Sequence, residues 1–577
     1  MKHMKRSIFI ILVITLSCET RNEEKQTDIN KLADEYVDLL FKFDPQWGTF
    51  YGIDSADNVN LSDISTEGLK KRREAEDLLL QKTLSIIPNN LSPDDRNTYE
   101  ILKEVLEGSI ATRVCQSHLW TIHQMEAFYI WFQYIAETQP IGDAISRENA
   151  IKRWKKIPQY IQSDIANNKH GLETGYALPK IVIEQVIDQL GQLLTVPMDE
   201  NVFYIIATRD EDTAFKKDVE AVVVNEIMPL IKTYRDFLQN EYLPKARLEL
   251  SISTIPNGSE CYAALLRSFT SLSASPETVY NWGVAAIESR ENKIKEIGQK
   301  VYKTNDLKEI REYLKADSSV YLNDKDELLK LAQSSIDKAK ISIKDYFGII
   351  PKSDVILEPI PAIEEATGYS RYLPASDDGK RPAKYVQQTS EPKSQTVGEI
   401  ESTAFHETYP GHHLQIAISR EISKSHPITK YVGNSGFAEG WARYTETLSD
   451  EMGLYSSEKS SLSMFMGLPT GMVVDPGIHF KNWTREEAIE YTLNKQTSMT
   501  KKDAENYVDR IAVIPGQMTT YGVGEMYFIN LRKEAEKKLK DGFNIKVFHD
   551  NCLKNGTIPL NYLDVLLKNW IETTSND

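Results

Sequence analysis

One ten-residue string, His406-Glu407-Thr408-Tyr409-Pro410-Gly411-His412-His413-Leu414-Gln415, constrains the fold of this chain more than any other feature. It places three of the ten histidines within eight residues, beside a carboxylate. In helical zinc sites of the His-Glu-x-x-His kind, two histidines four apart face one way and the intervening glutamate holds the attacking water. Here the second histidine comes later, at His412 or His413. Pro410 cannot donate to the carbonyl of His406 and its ring pushes that carbonyl away, so a helix through this point bulges or breaks. Gly411 tolerates the backbone angles such a break requires. At regular helical spacing a residue seven later sits about 10.5 Å along the axis, against about 6 Å for one four later, so a single shared ion demands the distortion. His412 asks for less rearrangement than His413, and both stay open as the partner of His406 on one Zn2+. The other is left to orient the site or to face substrate.

A catalytic zinc takes three protein ligands and keeps one position open. Glu439, in Phe437-Ala438-Glu439-Gly440-Trp441-Ala442-Arg443-Tyr444-Thr445-Glu446, lies one helix and a loop beyond the histidines, a spacing that suits two packed helices. Glu446 shares its helical face and is either the alternative ligand or the carboxylate that orients one of the histidines. Glu407 is positioned to accept a proton as water attacks a peptide carbonyl. A purely structural zinc site, with closed coordination, has no use for that carboxylate.

The rest of the chain sets the context. With 84 acidic against 68 basic residues the formal charge is −16, which repels a nucleic-acid backbone and excludes that partner class. At the N-terminus Lys2, Lys5 and Arg6 precede an apolar run from Ile8 to Leu16 and then Ser17-Cys18. Residues 1–18 are therefore expected to be a lipoprotein signal, with lipid carried on Cys18, and 19–28 a polar tether. The protein is expected to be exported to the bacterial periplasm or the outer membrane. Cys115, Cys261 and Cys552 allow at most one disulfide, so packing has to hold the fold together.

From 29 to 350 long stretches low in Gly and Pro carry helix-start punctuation, as in Ser92-Pro93-Asp94 and Ser275-Pro276-Glu277. Ile287, Ile294, Ile297 and Val301 line one helical face. Between 351 and 398 the texture changes: Val355-Ile356-Leu357 and Lys384-Tyr385-Val386-Gln387 bracket a turn-rich Ser376-Asp377-Asp378-Gly379, which predicts a small β-hairpin or sheet insert. Helical texture resumes near Thr396, and Thr484-Arg485-Glu486-Glu487 reads as a capping box. The expected fold is mainly α, a large helical body around a deep cleft with that β insert, and with 29–350 and a catalytic 351–577 forming one continuous unit.

At the two motifs the chain resembles the bacterial domain-of-unknown-function 885 family, whose strings His-Glu-x-x-Pro-Gly-His-His-x-Gln and Glu-Gly-Trp-Ala stand here at His406 to Gln415 and Glu439 to Ala442. The likeness extends to Gly368-Tyr369, Val474-Asp475-Pro476-Gly477-Ile478-His479 and Pro515-Gly516-Gln517 with Tyr521. It implies a helical fold related to zinc peptidases such as angiotensin-converting enzyme, thimet oligopeptidase and carboxypeptidase Taq, and a peptide substrate. Because those peptidases use Tyr or His to steady the oxyanion, Tyr521 and His479 become the catalytic candidates beside Glu407. Gln517, Arg371 and Arg381 are candidates to hold the substrate backbone or a terminal carboxylate, which arginine pairs with in bidentate fashion. The extended segment Lys384 to Gln388, with Tyr385 in it, is a candidate for pairing with a substrate strand. Two other classes remain open: a helical surface lipoprotein that binds peptides or glycans without chemistry, and a zinc hydrolase of cell-wall amides or esters.

Overall fold

The computed structural model describes residues 28–125, 127–361, 368–422, 426–496 and 499–576. The predicted signal segment, Cys18 and the tether up to residue 27 lie outside them. The chain is about 70% helical with one three-stranded sheet, as the sequence leads one to expect. Among the described residues no helix is long and apolar enough to cross a membrane.

Helices start where side chains satisfy the orphan amides of a first turn. Ser92 accepts from Asp95 N–H ahead of the helix Pro93–Thr112, and Ser275 accepts from Thr278 N–H ahead of Pro276–Val301. Thr396 with Glu399 and Thr484 with Glu487 close reciprocal capping boxes. The stripe Ile287, Ile294 and Ile297 is buried, with Val301 packed partly against the same core.

The insert is a small sheet, and its two predicted segments do not form a hairpin with each other. Strands β1 (Val355–Pro359) and β3 (Ala383–Gln387) run parallel, and a short β2 (Arg371–Leu373) pairs antiparallel to β3, giving the order β1-β3-β2. Parallel neighbours cannot be joined by a tight turn, and the crossover that links them carries β2. This also corrects the expectation for Lys384 to Gln388. β3 is central, so both of its edges are already paired, and the outer positions belong to β1 and β2.

One core runs through both stretches of the chain: Ile29, Leu102 and Ile294 pack in the same cluster as Phe405, Trp441 and Leu563. A second core gathers Cys115 to Tyr262 and contains the Cys115–Cys261 disulfide, while Cys552 is buried with a free thiol.

Two helices of the main body meet without side chains between them. On Ser435–Glu451, a Cβ at Gly440 would stand 2.3 Å from the Gly524 Cα of Thr519–Leu539, and one at Gly524 would stand 2.0 Å from the Gly436 carbonyl oxygen. Backbone lies against backbone, so nothing can rotate away to admit a methyl group. Gly440→Ala or Gly524→Ala is therefore expected to destabilise the protein by about 1–3 kcal/mol, the usual range for overpacking. Chemical denaturation measures this, and unchanged stability in both variants would contradict the close crossing.

Candidate metal centre

The histidine string folds as a broken helix. The first motif helix, Val397–Glu407, stops at Thr408, whose amide still reaches the Ala404 carbonyl at 3.0 Å. The second, His412–Glu421, begins directly after Gly411. Between them the Gly411 amide donates to the Phe405 carbonyl at 3.0 Å, and a Cβ on Gly411 would lie 1.9 Å from the His406 carbonyl oxygen. Only glycine fits that approach. The Pro410 carbonyl, left without a helical donor, accepts the indole N–H of the fully buried Trp441 at 3.0 Å. The Trp of the second motif thus holds the break in the first.

This folding brings His406 and His412 together and turns His413 away. The Nε2 atoms of His406 and His412 stand 3.7 and 3.5 Å from one oxygen of Glu439, and the three ligand atoms lie within 4.8 Å of one another. Those separations are too long for good hydrogen bonds. They are close to the edge of a tetrahedron about 3.3–3.5 Å wide, which donors at zinc distances define. The side chains keep 14%, 12% and 21% of their surface exposed, enough for water and substrate to reach the point they face. His413 is fully buried instead. Its Nε2 donates to the Ser353 carbonyl at 3.2 Å, so its Nδ1 accepts from the Tyr372 hydroxyl at 3.1 Å, and Tyr409 Oη is 3.0 Å from Nε2. It ties β2 to the motif helices as a neutral ring, its pKa pushed down to about 4 by burial.

Glu446 occupies the orienting position. Its Oε1 accepts from His406 Nδ1 at 2.8 Å, which leaves the Nε2 lone pair facing Glu439. Ser402 Oγ donates to Oε2 at 3.1 Å and Arg443 Nη1 at 2.7 Å. Arg443 also donates to the Gly467 carbonyl at 2.8 Å and approaches Glu525, which accepts from Arg290 at 2.7 Å. Burial raises the pKa of Glu446, but Arg443 and His406 outweigh it and bring it down to about 2.

Three carboxylates crowd the two imidazoles. Burial lowers the pKa of His406, yet Glu439, Glu446 and Glu407 push it up to about 10, and Glu439 is drawn far below the carboxylate range against its own burial. Two imidazole nitrogens and a carboxylate oxygen crowded by further carboxylates could hold a divalent cation, and Zn2+ fits their number and type. Glu407 is buried beside them; desolvation raises its pKa while His406 and His412 oppose the rise. The main chain of Tyr372 in β2 lies against its carboxylate.

Tyr521, at the start of the helix Thr519–Leu539, stacks on the His406 ring with centroids 6.4 Å apart. Its hydroxyl faces Arg510 and Gln517, and burial, with Glu439 adding, raises its pKa. Arg510 Nη2 donates to Gln517 Oε1 at 2.9 Å. In the sequence Arg510 stands out only as a lone cation in the largely apolar end Val508 to Val513 of a helix.

The four other expected residues are engaged away from the ligand atoms. His479 has both ring nitrogens consumed, Nδ1 by the Ile252 amide at 3.1 Å and Nε2 by the Ile511 carbonyl at 2.9 Å, so it has none left for an oxyanion. Tyr385 is fully buried with its hydroxyl on Gln387, packed near Glu407 and closed to substrate. Arg381 lies over the Phe50 ring at 4.6 Å and donates to the Phe50 carbonyl, which makes it a tie to the helix Pro45–Tyr51. Arg371, in β2, sits 5.9 Å from the Tyr134 ring centroid on the helix Phe128–Thr138.

The fold recurs in solved structures. One described as "the putative lipoprotein from Colwellia psychrerythraea" superimposes with a TM-score of 0.87 at 21% identity, over 95% of this chain and 100% of that one. A second, from Shewanella oneidensis and described as of unknown function, gives 0.71 at 18% identity, over 94% and 99%. No curated protein matches the sequence. Residues 45–567 match the family described as bacterial protein of unknown function, DUF885, and the chain belongs to that family.

Proposed function

We propose that the protein is a zinc-dependent peptidase that hydrolyses oligopeptides outside the cytoplasm. The observation that carries this reading is the convergence of His406 and His412 on Glu439, with Glu407 next in the chain to the first imidazole and buried beside both. The kinship with angiotensin-converting enzyme, thimet oligopeptidase and carboxypeptidase Taq belongs to the same proposal and rests on the motifs. Export and lipid anchoring are supported by the Lys2 to Cys18 segment and by the descriptions of the two solved structures as lipoproteins. A non-catalytic binding protein has no use for a buried carboxylate in Glu407's place.

His406, His412 and Glu439 would hold the ion, and Zn2+ bound there supplies Lewis acidity and water acidified toward neutrality. Glu407 takes the proton of the attacking water and passes it to the leaving amine. Tyr521, kept protonated by burial, donates its O–H to the carbonyl oxygen as negative charge develops there, with Arg510 and Gln517 fixing its place. Among the described residues β2 pairs only with β3, and its main chain lies against Glu407. Of the two edge strands β1 and β2, β2 is the one beside Glu407, and so the one placed for an extended substrate.

Metal analysis of purified protein beside Glu407→Gln, with a mixed peptide library as substrate, tests the reading. One zinc per chain is expected in both, with hydrolysis reduced roughly a hundred- to ten-thousand-fold in the variant, the usual weight of a general base. Undiminished cleavage would remove Glu407 from the role. His412→Ala is expected to lose zinc while His413→Ala retains it, and equal occupancy in the two would reject this assignment of the ligands. Glu446→Gln leaves the ligands intact and is expected to weaken zinc binding by about 10–100-fold, measured by chelator competition; unaltered affinity would make Glu446 a purely structural residue.

A further inference from the structure

Beside the end of the helix Lys501–Val513, which carries Arg510, the chain forms a half-open pocket of about 310 Å³. Aromatic rings of Trp120, Phe128, Trp131, Tyr160 and Phe269 line it, and Ile514 and Pro515 complete the lining. Ile514 caps the helix Lys501–Val513 one turn, about 6 Å, beyond Arg510. Its carbonyl accepts the amide of Gln517 at 3.2 Å. The same turn therefore borders the pocket with one face and positions the Tyr521 hydroxyl with the other. It is pinned from below: both oxygens of the buried Asp475 accept the Gly516 amide at 3.0 Å, and Gly516 holds a φ of +90° that favours glycine.

The lining says what the pocket takes. Its one buried acid, Asp164, accepts Thr121 Oγ1 and Tyr234 Oη at 2.5 Å each and Asn168 Nδ2 at 3.2 Å, so its oxygens are committed. His123 is neutral, its pKa pushed down to about 4 by burial. An anionic guest would lose its water here and gain no counter-ion, and a cationic one would find the oxygens of Asp164 already hydrogen-bonded, so an uncharged guest fits best. The volume holds roughly ten waters, which suits one bulky side chain, and the rings around it favour stacked and edge-to-face partners.

We propose that this pocket is the subsite for a bulky aromatic side chain of the peptide substrate, of the phenylalanine, tyrosine or tryptophan class. The assignment rests on the peptidase reading, and two measurements separate the fates of the two. Saturation-transfer NMR of the full chain with N-acetyl-phenylalaninamide and N-acetyl-alaninamide reads the pocket without hydrolysis. Transfer to the phenyl ring is expected, none to the alanine compound, and loss of the ring signal in Leu265→Trp, which fills the pocket from the helix Gly258–Thr270. Phe269→Ala, which removes part of the aromatic wall, is expected to weaken the same signal. On peptides differing only in Phe against Ala, kcat/KM is expected to favour Phe by about tenfold or more, and the ratio to collapse in Leu265→Trp. Equal transfer to both amides, or a ring signal and a Phe preference unmoved in both variants, overturns the subsite. A ring signal that the variants remove, in a protein that cleaves no peptide, sinks the peptidase reading and leaves the aromatic pocket standing.

Discussion

The broken helix at Thr408 to Gly411 is the constraint on which the site depends. An unbroken helix would leave the second imidazole a turn too far along, or on another face. The break alone would leave the Pro410 carbonyl without a partner in the protein interior, at a cost of about 1–3 kcal/mol. Trp441 removes that cost and at the same time fixes the angle between the helix of the histidines and the helix of Glu439. Gly411 makes the close return possible by having no side chain to set against the His406 carbonyl. Pro-Gly in one motif and Trp in the other are thus two halves of one joint.

Behind the joint stands a line of buried charge, from His406 through Glu446 and Arg443 to Glu525 and Arg290. Buried ion pairs contribute little net stability, because desolvation offsets their attraction, but breaking one strands its partner. The return here is positional. Glu446 fixes which nitrogen of His406 carries the proton, and Arg443 fixes Glu446. The Gly440–Gly524 contact sets the remaining distance, since Glu439 precedes one glycine and Tyr521 lies one turn before the other.

Much of this was legible in the residues. Helix starts at Ser92, Ser275, Thr396 and Thr484 are written in local chemistry that tertiary packing does not override. The convergence of His406 and Glu439 was legible because metal-ligand chemistry admits few residue types. His412 could be preferred over His413 only by counting excess residues, as the direction each ring takes depends on the break. The rest depended on partners distant in sequence. His479 and Tyr385 carry plausible functional groups, but the Ile511 carbonyl and Gln387 consume them. Arg510 acquires its role from Tyr521 and Gln517, and β2 is too short, at Arg371 to Leu373, to leave a period-two pattern. The order β1-β3-β2 likewise follows from a crossover that no pattern in the strands records.

The central claim is that two imidazoles across a proline break share one ion with a distant carboxylate. Crystals of the zinc-loaded protein, with anomalous data collected on both sides of the zinc absorption edge, test it most directly. The account requires one strong peak within about 2.0–2.2 Å of His406 Nε2, His412 Nε2 and a Glu439 oxygen, with Glu446 still on His406 Nδ1 and His413 uninvolved. A zinc peak coordinated by His413, or no peak between His406 and His412, would contradict it.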